Sequence, residues 1–308
     1  MTQAFEWLIL RLSSALGAHT FEVKGFIAVT LVSLICGAVG SQVVGNRMAF
    51  FSDALAHCAF AGLALAILCI AFAFGNIREE QNLDWIVPSV MVGFGAAMGI
   101  SIAFVREKTG LASDTVIGVF FAGVIGVGAL LFGAVKRVTN KDPEIFLFGG
   151  PNYVTESDLL RLLGLGVITI IVLVLRYNEM VFTSFNASLA RSRRIPSRLN
   201  NYLFIILLAL VVNLCLQTVG ILLVNAMLIV PGATASNLSR NMRQMFWWTI
   251  ALSLISGIGG LWLSNVVVIP LRGELMNPGA SGCIVVLSVL AFGLSMIVSP
   301  WLRGKQSR

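Results

Sequence analysis

The sequence predicts an all-α membrane protein that crosses the bilayer about eight or nine times. Of its 308 residues, 57% are hydrophobic and only 11% are charged, against roughly 25% charged in an ordinary soluble domain. The mean hydropathy is +0.92. Because this composition supplies too few polar residues for a water-facing surface, lipid must solvate most of the chain.

Long apolar stretches give the expected spans, since a membrane-spanning helix needs about 20 predominantly apolar residues. The candidates are 23–45, 54–74, 86–105, 114–135, 159–176, 200–216, 219–236, 246–268 and 281–302. The pair 200–216 and 219–236 is short, with two residues between its members. It therefore predicts either two tight spans or one broken, partly re-entrant element near 216–236. In that element Pro231 removes a backbone hydrogen bond and should kink or break the helix.

Loop charges orient the chain. The larger share of the 21 Lys and Arg residues falls in loops on one side of the predicted membrane, and that side should be cytoplasmic. The basic segment 177–199 and the tail 303–308 then face the cytosol, and the N-terminus faces outward. Residues 1–22 lack a convincing cleavage site and predict a retained amphipathic segment. Residues 23–302 form the transmembrane domain.

Glycines fall mostly inside the spans, which predicts close packing of helices rather than a pore lining. Gly95 and Gly99 form a GxxxG pair, and Gly123, Gly126 and Gly128 crowd the following span. The five cysteines also lie in apolar segments and include no CxxC pair. They are typical of packing residues rather than of disulfides or a zinc ribbon.

The motifs of common enzymes are missing. The chain has no GxxxxGK[ST] phosphate loop, no HExxH and no GxSxG, and only two histidines. The net charge of +7 comes from short basic clusters between apolar runs, which favours membrane topology over a nucleic-acid partner. We therefore expect a transport subunit with no permanently bound cofactor.

Side chains with metal-ligand chemistry lie at the start of two predicted spans. Asp53 and His57 are four residues apart, so they share one face of a helix. Asp114 opens a later span. Ionisable residues within spans are costly and by default mark a substrate path. Imidazole nitrogen with carboxylate oxygen suits Zn²⁺, Mn²⁺ or Fe²⁺, so Asp53, His57 and Asp114 are the predicted cation ligands.

Structural interpretations compete with this one. Ser52 with Asp53, and Ser113 with Asp114, also fit helix N-caps that complement the helix dipole. Asp53 with His57 fits a plain hydrogen-bonded pair as well.

The basic segment 177–199 also has two interpretations. Such clusters usually fix topology. However, residues 185–190 resemble a short helix with apolar positions at Phe185, Leu189 and Ala190, of the kind that docks into a partner's groove.

Three blocks resemble the permease subunits of bacterial ABC importers for zinc, manganese and iron. The acid and histidine precede a small-residue helix, an acid precedes a Val-Ile-Gly run, and a long block ends in Pro-x-Ala-Thr-Ala. The blocks are MAFFSDALAHCAFAGLAL, SDTVIGVFFAGVIGVGALL and LQTVGILLVNAMLIVPGATA. They follow the family's order and spacing, and the likeness covers nearly the whole chain from about residue 23.

The resemblance implies a multi-pass protein of the bacterial inner membrane that works by alternating access. It implies a cytoplasmic ATPase on a separate chain, a periplasmic or lipid-anchored metal-binding protein, and a second permease, either another copy of this chain or a paralogue. Asp53 and His57 match the family's acid and histidine, and Asp114 its second acid. Asn225 occupies a position where small residues are common, so it either adds a polar ligand or bonds between helices.

The resemblance also places the ATPase-coupling helix in the basic segment. The residues concerned are Phe185, Asn186, Ala187, Ser188, Leu189 and Ala190. Relatives often have Phe-Asp-Pro-Glu where this chain has Phe-Asn-Ala-Ser, so the docking position is expected and an acidic contact with the ATPase is not.

Two other functions compete with the importer permease. One is an ion-coupled secondary transporter or channel in which the same acids relay protons or cations. The other is a membrane scaffold with structural polar pairs. Zinc, manganese and iron all accept mixed nitrogen and oxygen ligands, so the residues alone do not choose among them.

Overall fold

The computed structural model describes residues 11, 19–74, 80–139, 154–185, 193, 195–267, 269–271, 274–276 and 278–304. Over these ranges nine helices have the length and composition to cross a membrane. They are α1 (Thr20–Gly45), α2 (Ala49–Phe74), α3 (Glu80–Thr109), α4 (Ser113–Thr139), α5 (Glu156–Phe185), α6 (Ser197–Val219), α7 (Ile221–Leu238), α8 (Met242–Val266) and α9 (Ala280–Gly304). The predicted helical, multi-span architecture is confirmed.

One small element departs from the all-helical prediction. Strands β1 (Ile269–Leu271) and β2 (Glu274–Met276) pair antiparallel between α8 and α9, with Ile269 opposite Met276. Each strand is only three residues long, too short for the alternating pattern that identifies a strand in a sequence.

The turn between α1 and α2 is tighter than the sequence suggests. The amide of Asn46 donates to the carbonyl of Gln42 at 2.8 Å, and Arg47 adopts a positive φ of 56°. Helix α2 then begins at Ala49, so Asp53 lies inside its second turn. Ser52 Oγ donates to the carbonyl of Ala49 at 2.8 Å. The interpretation of Ser52 and Asp53 as an N-cap is therefore wrong.

The predicted break within 216–236 is confirmed, and it falls at Gly220 rather than at Pro231. Helices α6 and α7 are joined by the single residue Gly220, with φ 88° and ψ 161°, a conformation that is essentially limited to glycine. Helix α7 continues through Pro231 to Leu238, so Pro231 does not break the helix, and the alternative of a kink stays a prediction. Lipid-embedded helices tolerate proline where hydroxyl groups and close neighbours compensate for the lost bond. The bond lost at Pro231 is the one to the carbonyl of Met227, and α7 continues without it.

The helices pack into two compact units. The first contains α1, the beginning of α5, and the chain from residue 218 onward; the second contains α2, α3, α4, the end of α5, and α6. In the first unit, α7 and α8 both pack against α1 and α9. In the second unit, α2 packs against α3 and α4. Asp53, His57 and Asp114 all belong to the second unit.

Candidate functional site

Asp53 and His57 lie together on one face of α2, as their spacing predicts. His57 Nδ1 is 3.8 Å from Asp53 Oδ1, and the two side chains are 32% and 34% exposed. A partly exposed carboxylate beside an imidazole can exchange part of its hydration shell for an ion. Both groups are ligands that a divalent transition metal accepts.

A backbone hydrogen bond fixes which nitrogen of His57 is available. Nδ1 lies 3.0 Å from the carbonyl oxygen of Asp53. A carbonyl can only accept, so we assign the proton to Nδ1, and the neutral ring keeps its lone pair on Nε2. Histidine ligands of metals are commonly oriented by such a carbonyl, which sets the tautomer and raises ligand basicity. The geometry therefore directs metal binding to Nε2.

One aromatic ring contacts His57, and a second ring lies behind the first. The ring of Phe121 in α4 meets the imidazole edge-on, with centroids 4.9 Å apart and planes at 69°. Phe50 in α2 lies 6.4 Å from the same phenyl ring. Edge-to-face contacts of this kind are favourable and restrict ring rotation, so Phe121 helps to hold the imidazole in place.

Asp114 lies apart from the pair. It is exposed in the first turn of α4, where a negative charge complements the helix dipole. It precedes Phe121 by seven residues, which places it on the same face of α4 but about 10 Å away along the helix axis. Among the residues described, no three His, Cys, Asp or Glu side chains are grouped closely enough to hold a metal ion. In this conformation Asp114 is not a third ligand of the pair, and its role stays a prediction.

The remaining predicted residues lie elsewhere. Asn225 is half-buried in α7 and belongs to the first unit. Phe185 is the last residue of α5, and the predicted coupling residues Asn186 to Ala190 lie outside the described part of the chain. Their proposed roles, like those of residues 1–22 and 303–308, stay predictions.

Phe121 was not singled out in the sequence. One signal for it exists, since it follows Asp114 by seven residues and so shares its helix face. The spacing places the phenyl ring on that face of α4, but it does not show that the ring contacts His57.

Nine helices in the described residues are long and apolar enough to cross a membrane, which places the protein in the class of multi-pass membrane proteins. Residues 18–299 match the family model described as the ABC 3 transport family, and the chain belongs to that family. It is therefore a permease subunit of an ABC transporter, and the family expected from the three sequence blocks is confirmed.

Named relatives resemble the chain over nearly its full length. The manganese transport system membrane protein MntC of Halalkalibacterium halodurans is 29% identical over 298 residues, covering 94% of each chain. The manganese import system permease protein ScaB of Streptococcus parasanguinis is 30% identical over 281 residues, covering 91% of each. These relatives are membrane proteins of bacterial import systems, which confirms the predicted multi-pass location in a bacterial membrane.

A solved structure also has this fold. PsaBC from Streptococcus pneumoniae, solved in complex with a Fab, superimposes with a TM-score of 0.75 at 25% identity, covering 96% of this chain and 98% of the other. A putative metal-chelate type ABC transporter in an inward-facing conformation superimposes with a TM-score of 0.63 at 14% identity, covering 89% and 85%. This second likeness concerns the fold alone.

Proposed function

We propose that this permease imports Mn²⁺, with Asp53 and His57 forming the pair that meets the ion in the membrane. The observation that carries the proposal is the paired geometry of a half-exposed carboxylate and an imidazole whose Nε2 is left available. The manganese import proteins MntC and ScaB, similar along almost the whole chain, support the choice of metal. Carboxylate oxygen suits Mn²⁺, and imidazole nitrogen is accepted by it.

The energy comes from a separate chain. The sequence has no phosphate-binding loop, so an ATPase subunit supplies hydrolysis and docks on the cytoplasmic segment that begins at Phe185. A metal-binding protein, periplasmic or lipid-anchored, delivers the ion, and a second permease copy completes the transporter. The family and the likeness to PsaBC support these partners.

Transport proceeds by alternating access. ATP binding closes the ATPase subunits, and the coupling segment transmits that motion to the helices. The ion passes from the delivery protein to Asp53 and His57 and then to the cytosol. Because a conducting site must also release its ion, its affinity is expected to be modest.

The test is Mn²⁺ uptake in cells that lack their own manganese importers and express this permease with its ATPase and binding protein. Asp53→Asn and His57→Gln should each lower uptake by about 100-fold, the upper range for loss of a metal-site partner. The matched control is His19→Gln, which replaces the only other histidine, at the exposed end of α1. Membrane levels of each variant are measured in parallel.

Several outcomes would contradict the proposal. Normal uptake by both variants would remove the pair from the path, and uptake in the absence of the ATPase would indicate a secondary transporter or channel. Stronger inhibition by Zn²⁺ or Fe²⁺ than by unlabelled Mn²⁺ would change the metal. Asp114→Asn belongs in the same assay, because a comparable loss would show that another conformation brings this acid to the ion.

A further inference from the structure

Glu179, near the end of α5, accepts a hydrogen bond from the first turn of α6. Asn200 Nδ2 donates to Glu179 Oε2 at 3.0 Å, and Arg176 Nη1 donates to the same oxygen at 2.7 Å. Asn200 is only 1% exposed, and a buried amide is costly unless it is hydrogen-bonded. Because a carboxylate only accepts, Asn200 must present its nitrogen to Glu179. The Glu179–Asn200 bond is therefore a charge-assisted contact between two helices, stronger than a bond between neutral groups.

A second contact with α5 lies beside this bond. Phe182 follows Glu179 by three residues, so the two side chains are neighbours on α5. The guanidinium carbon of Arg193 lies 5.9 Å from the centroid of the Phe182 ring, within the range of a cation–π interaction. Arg193 precedes the first residue of α6 by four positions. The chain that enters α6 is therefore attached to α5 at two points.

Both contacts lie at the base of the segment that carries the predicted coupling residues 185–190. Glu179 precedes Phe185, the last residue of α5, by about 9 Å along the helix axis. Asn200 is the fourth residue of α6. A partner that pushes on the segment would drive unattached helix ends apart. Because the Glu179–Asn200 bond holds these ends together, α5 and α6 move as one body.

Helix α6 leads from this bond to the aspartate–histidine pair. Ile205 follows Asn200 by about 7.5 Å along α6, and its Cγ2 would lie 2.8 Å from a Cβ at Gly99 of α3. The same Cβ would lie 3.4 Å from Leu55 Cδ2 and 3.6 Å from Phe51 Cζ. Leu55 and Phe51 flank the aspartate of the pair in α2. Helices α6 and α2 thus converge on Gly99, in the turns of α2 that carry the proposed ion ligands.

We propose that Glu179 is a positioning residue that, through Asn200, transmits motion of the coupling segment to α6 and from there to the aspartate–histidine pair. The inference rests on the proposed function, since it gives Glu179 a part in linking ATP hydrolysis to transport. Glu179 does not bind the ion. Hydrogen-bond networks and rigid helices with two arrangements carry energetic coupling between distant sites. Without the Glu179–Asn200 bond, the ATPase subunits continue to hydrolyse ATP while fewer ions cross.

The first experiment measures that link directly. Proteoliposomes that contain the permease, its ATPase and its binding protein are assayed for Mn²⁺ imported and ATP hydrolysed in the same sample. Glu179→Ala removes both bonds and should lower the Mn²⁺ imported per ATP by about tenfold, within the usual range of coupling between sites. The matched control is Glu107→Ala at the end of α3. Glu107 lies 3.9 Å from Arg198 of α6, whose side chain is 85% exposed, and exposed ion pairs contribute little, so the control should keep the wild-type ratio.

Exchanging the donor and the acceptor separates the bond from the residue. Asn200→Asp places a second carboxylate against Glu179, and repulsion should lower the ratio as Glu179→Ala does. Adding Glu179→Gln to Asn200→Asp restores an amide opposite a carboxylate, so the double variant should recover most of the wild-type ratio. A purely structural role would instead lower uptake and hydrolysis in proportion. A wild-type ratio in both Glu179→Ala and Asn200→Asp would overturn the proposal.

A second experiment needs neither metal nor ATPase. Trypsin cleaves after basic residues, and the chain between α5 and α6 contains Arg191, Arg193 and Arg194. Limited proteolysis reports local opening, so purified Glu179→Ala should be cleaved there faster than wild type, and Glu107→Ala at the wild-type rate.

This experiment also separates the inference from the proposed function. If wild-type proteoliposomes import no Mn²⁺, the proposed function fails, and faster cleavage of Glu179→Ala still supports the attachment of α5 to α6. Equal cleavage of wild type and Glu179→Ala overturns the inference and leaves the proposed function in place.

Discussion

Gly40 and Gly260 in the first unit lie against neighbouring backbones, whereas Gly118, Gly123 and Gly126 of α4 face open space. A Cβ on Gly40 in α1 would lie 2.5 Å from the carbonyl oxygen of Leu228 in α7. A Cβ on Gly260 in α8 would meet the backbone of Ile284 in α9. By contrast, a Cβ on Gly118, Gly123 or Gly126 of α4 would have no described atom within 4 Å. The same residue type therefore serves two purposes in one chain.

The difference shows what a glycine-rich span does and does not establish. Small residues allow helices in lipid to approach closely, and for Gly95 and Gly99 the predicted close packing is confirmed by their contacts with Asn213 and Ile205. For Gly123 and Gly126 that packing has no counterpart among the described residues. Glycine permits two helices to approach closely, but whether they do depends on where the neighbouring helix lies.

Among the glycine substitutions, Gly40→Ala is expected to cause the largest loss of stability. Gly40→Ala drives a methyl group into a backbone carbonyl of α7, which cannot move aside as a side-chain end can, so α1 and α7 must separate. We expect destabilisation of about 3 kcal/mol, the upper range for overpacking. The measurement is the thermal unfolding midpoint of the detergent-solubilised permease, and an unchanged midpoint would show that these backbones are less closely packed.

A smaller effect is expected at Gly99. Its added Cβ would lie 2.8 Å from Cγ2 of Ile205 and 3.4 Å from Cδ2 of Leu55, and both are side-chain atoms that can shift by a rotamer change. Gly99→Ala should cost about 1 kcal/mol, the lower range for overpacking. The same unfolding assay checks it. A loss as large as that of Gly40→Ala would mean that the α3 interface is as rigid as the α1–α7 interface.

The smallest effect is expected at Gly126. Gly126→Ala meets open space, so only helix propensity changes, and the variant should be unchanged or more stable by up to about 1 kcal/mol. This variant is also the control for the other two glycine substitutions. If Gly126→Ala lost stability in the intact transporter but not in the isolated permease, a partner would cover this face of α4.

Much of the fold follows from the sequence because lipid imposes a simple rule of length and polarity. The helix ends were predicted less well, since polar residues such as Asp53 do not interrupt a helix, and α2 begins before it at Ala49. The sequence also pointed to Pro231 as a possible break, whereas the break lies at Gly220. Pro231 costs α7 one hydrogen bond, whereas Gly220 adopts a backbone conformation that a helix cannot contain.

The candidate site was also predictable from the sequence only in part. Asp53 and His57 were predicted together because i, i+4 spacing is a local property of one helix. The contact between the His57 and Phe121 rings joins α2 to α4, and only the packing of these two helices brings the rings together. Such packing is a tertiary property, and no local pattern reveals it.

The aspartate–histidine pair has one further consequence, which concerns charge balance. Asp53 contributes a single negative charge and a neutral His57 contributes none, so a doubly charged ion at the pair would leave a surplus positive charge. The number of ligand charges is one means by which proteins set their affinity for divalent ions. In the role proposed for the pair, too little ligand charge favours rapid release of the ion, and a second carboxylate placed beside it is expected to slow that release.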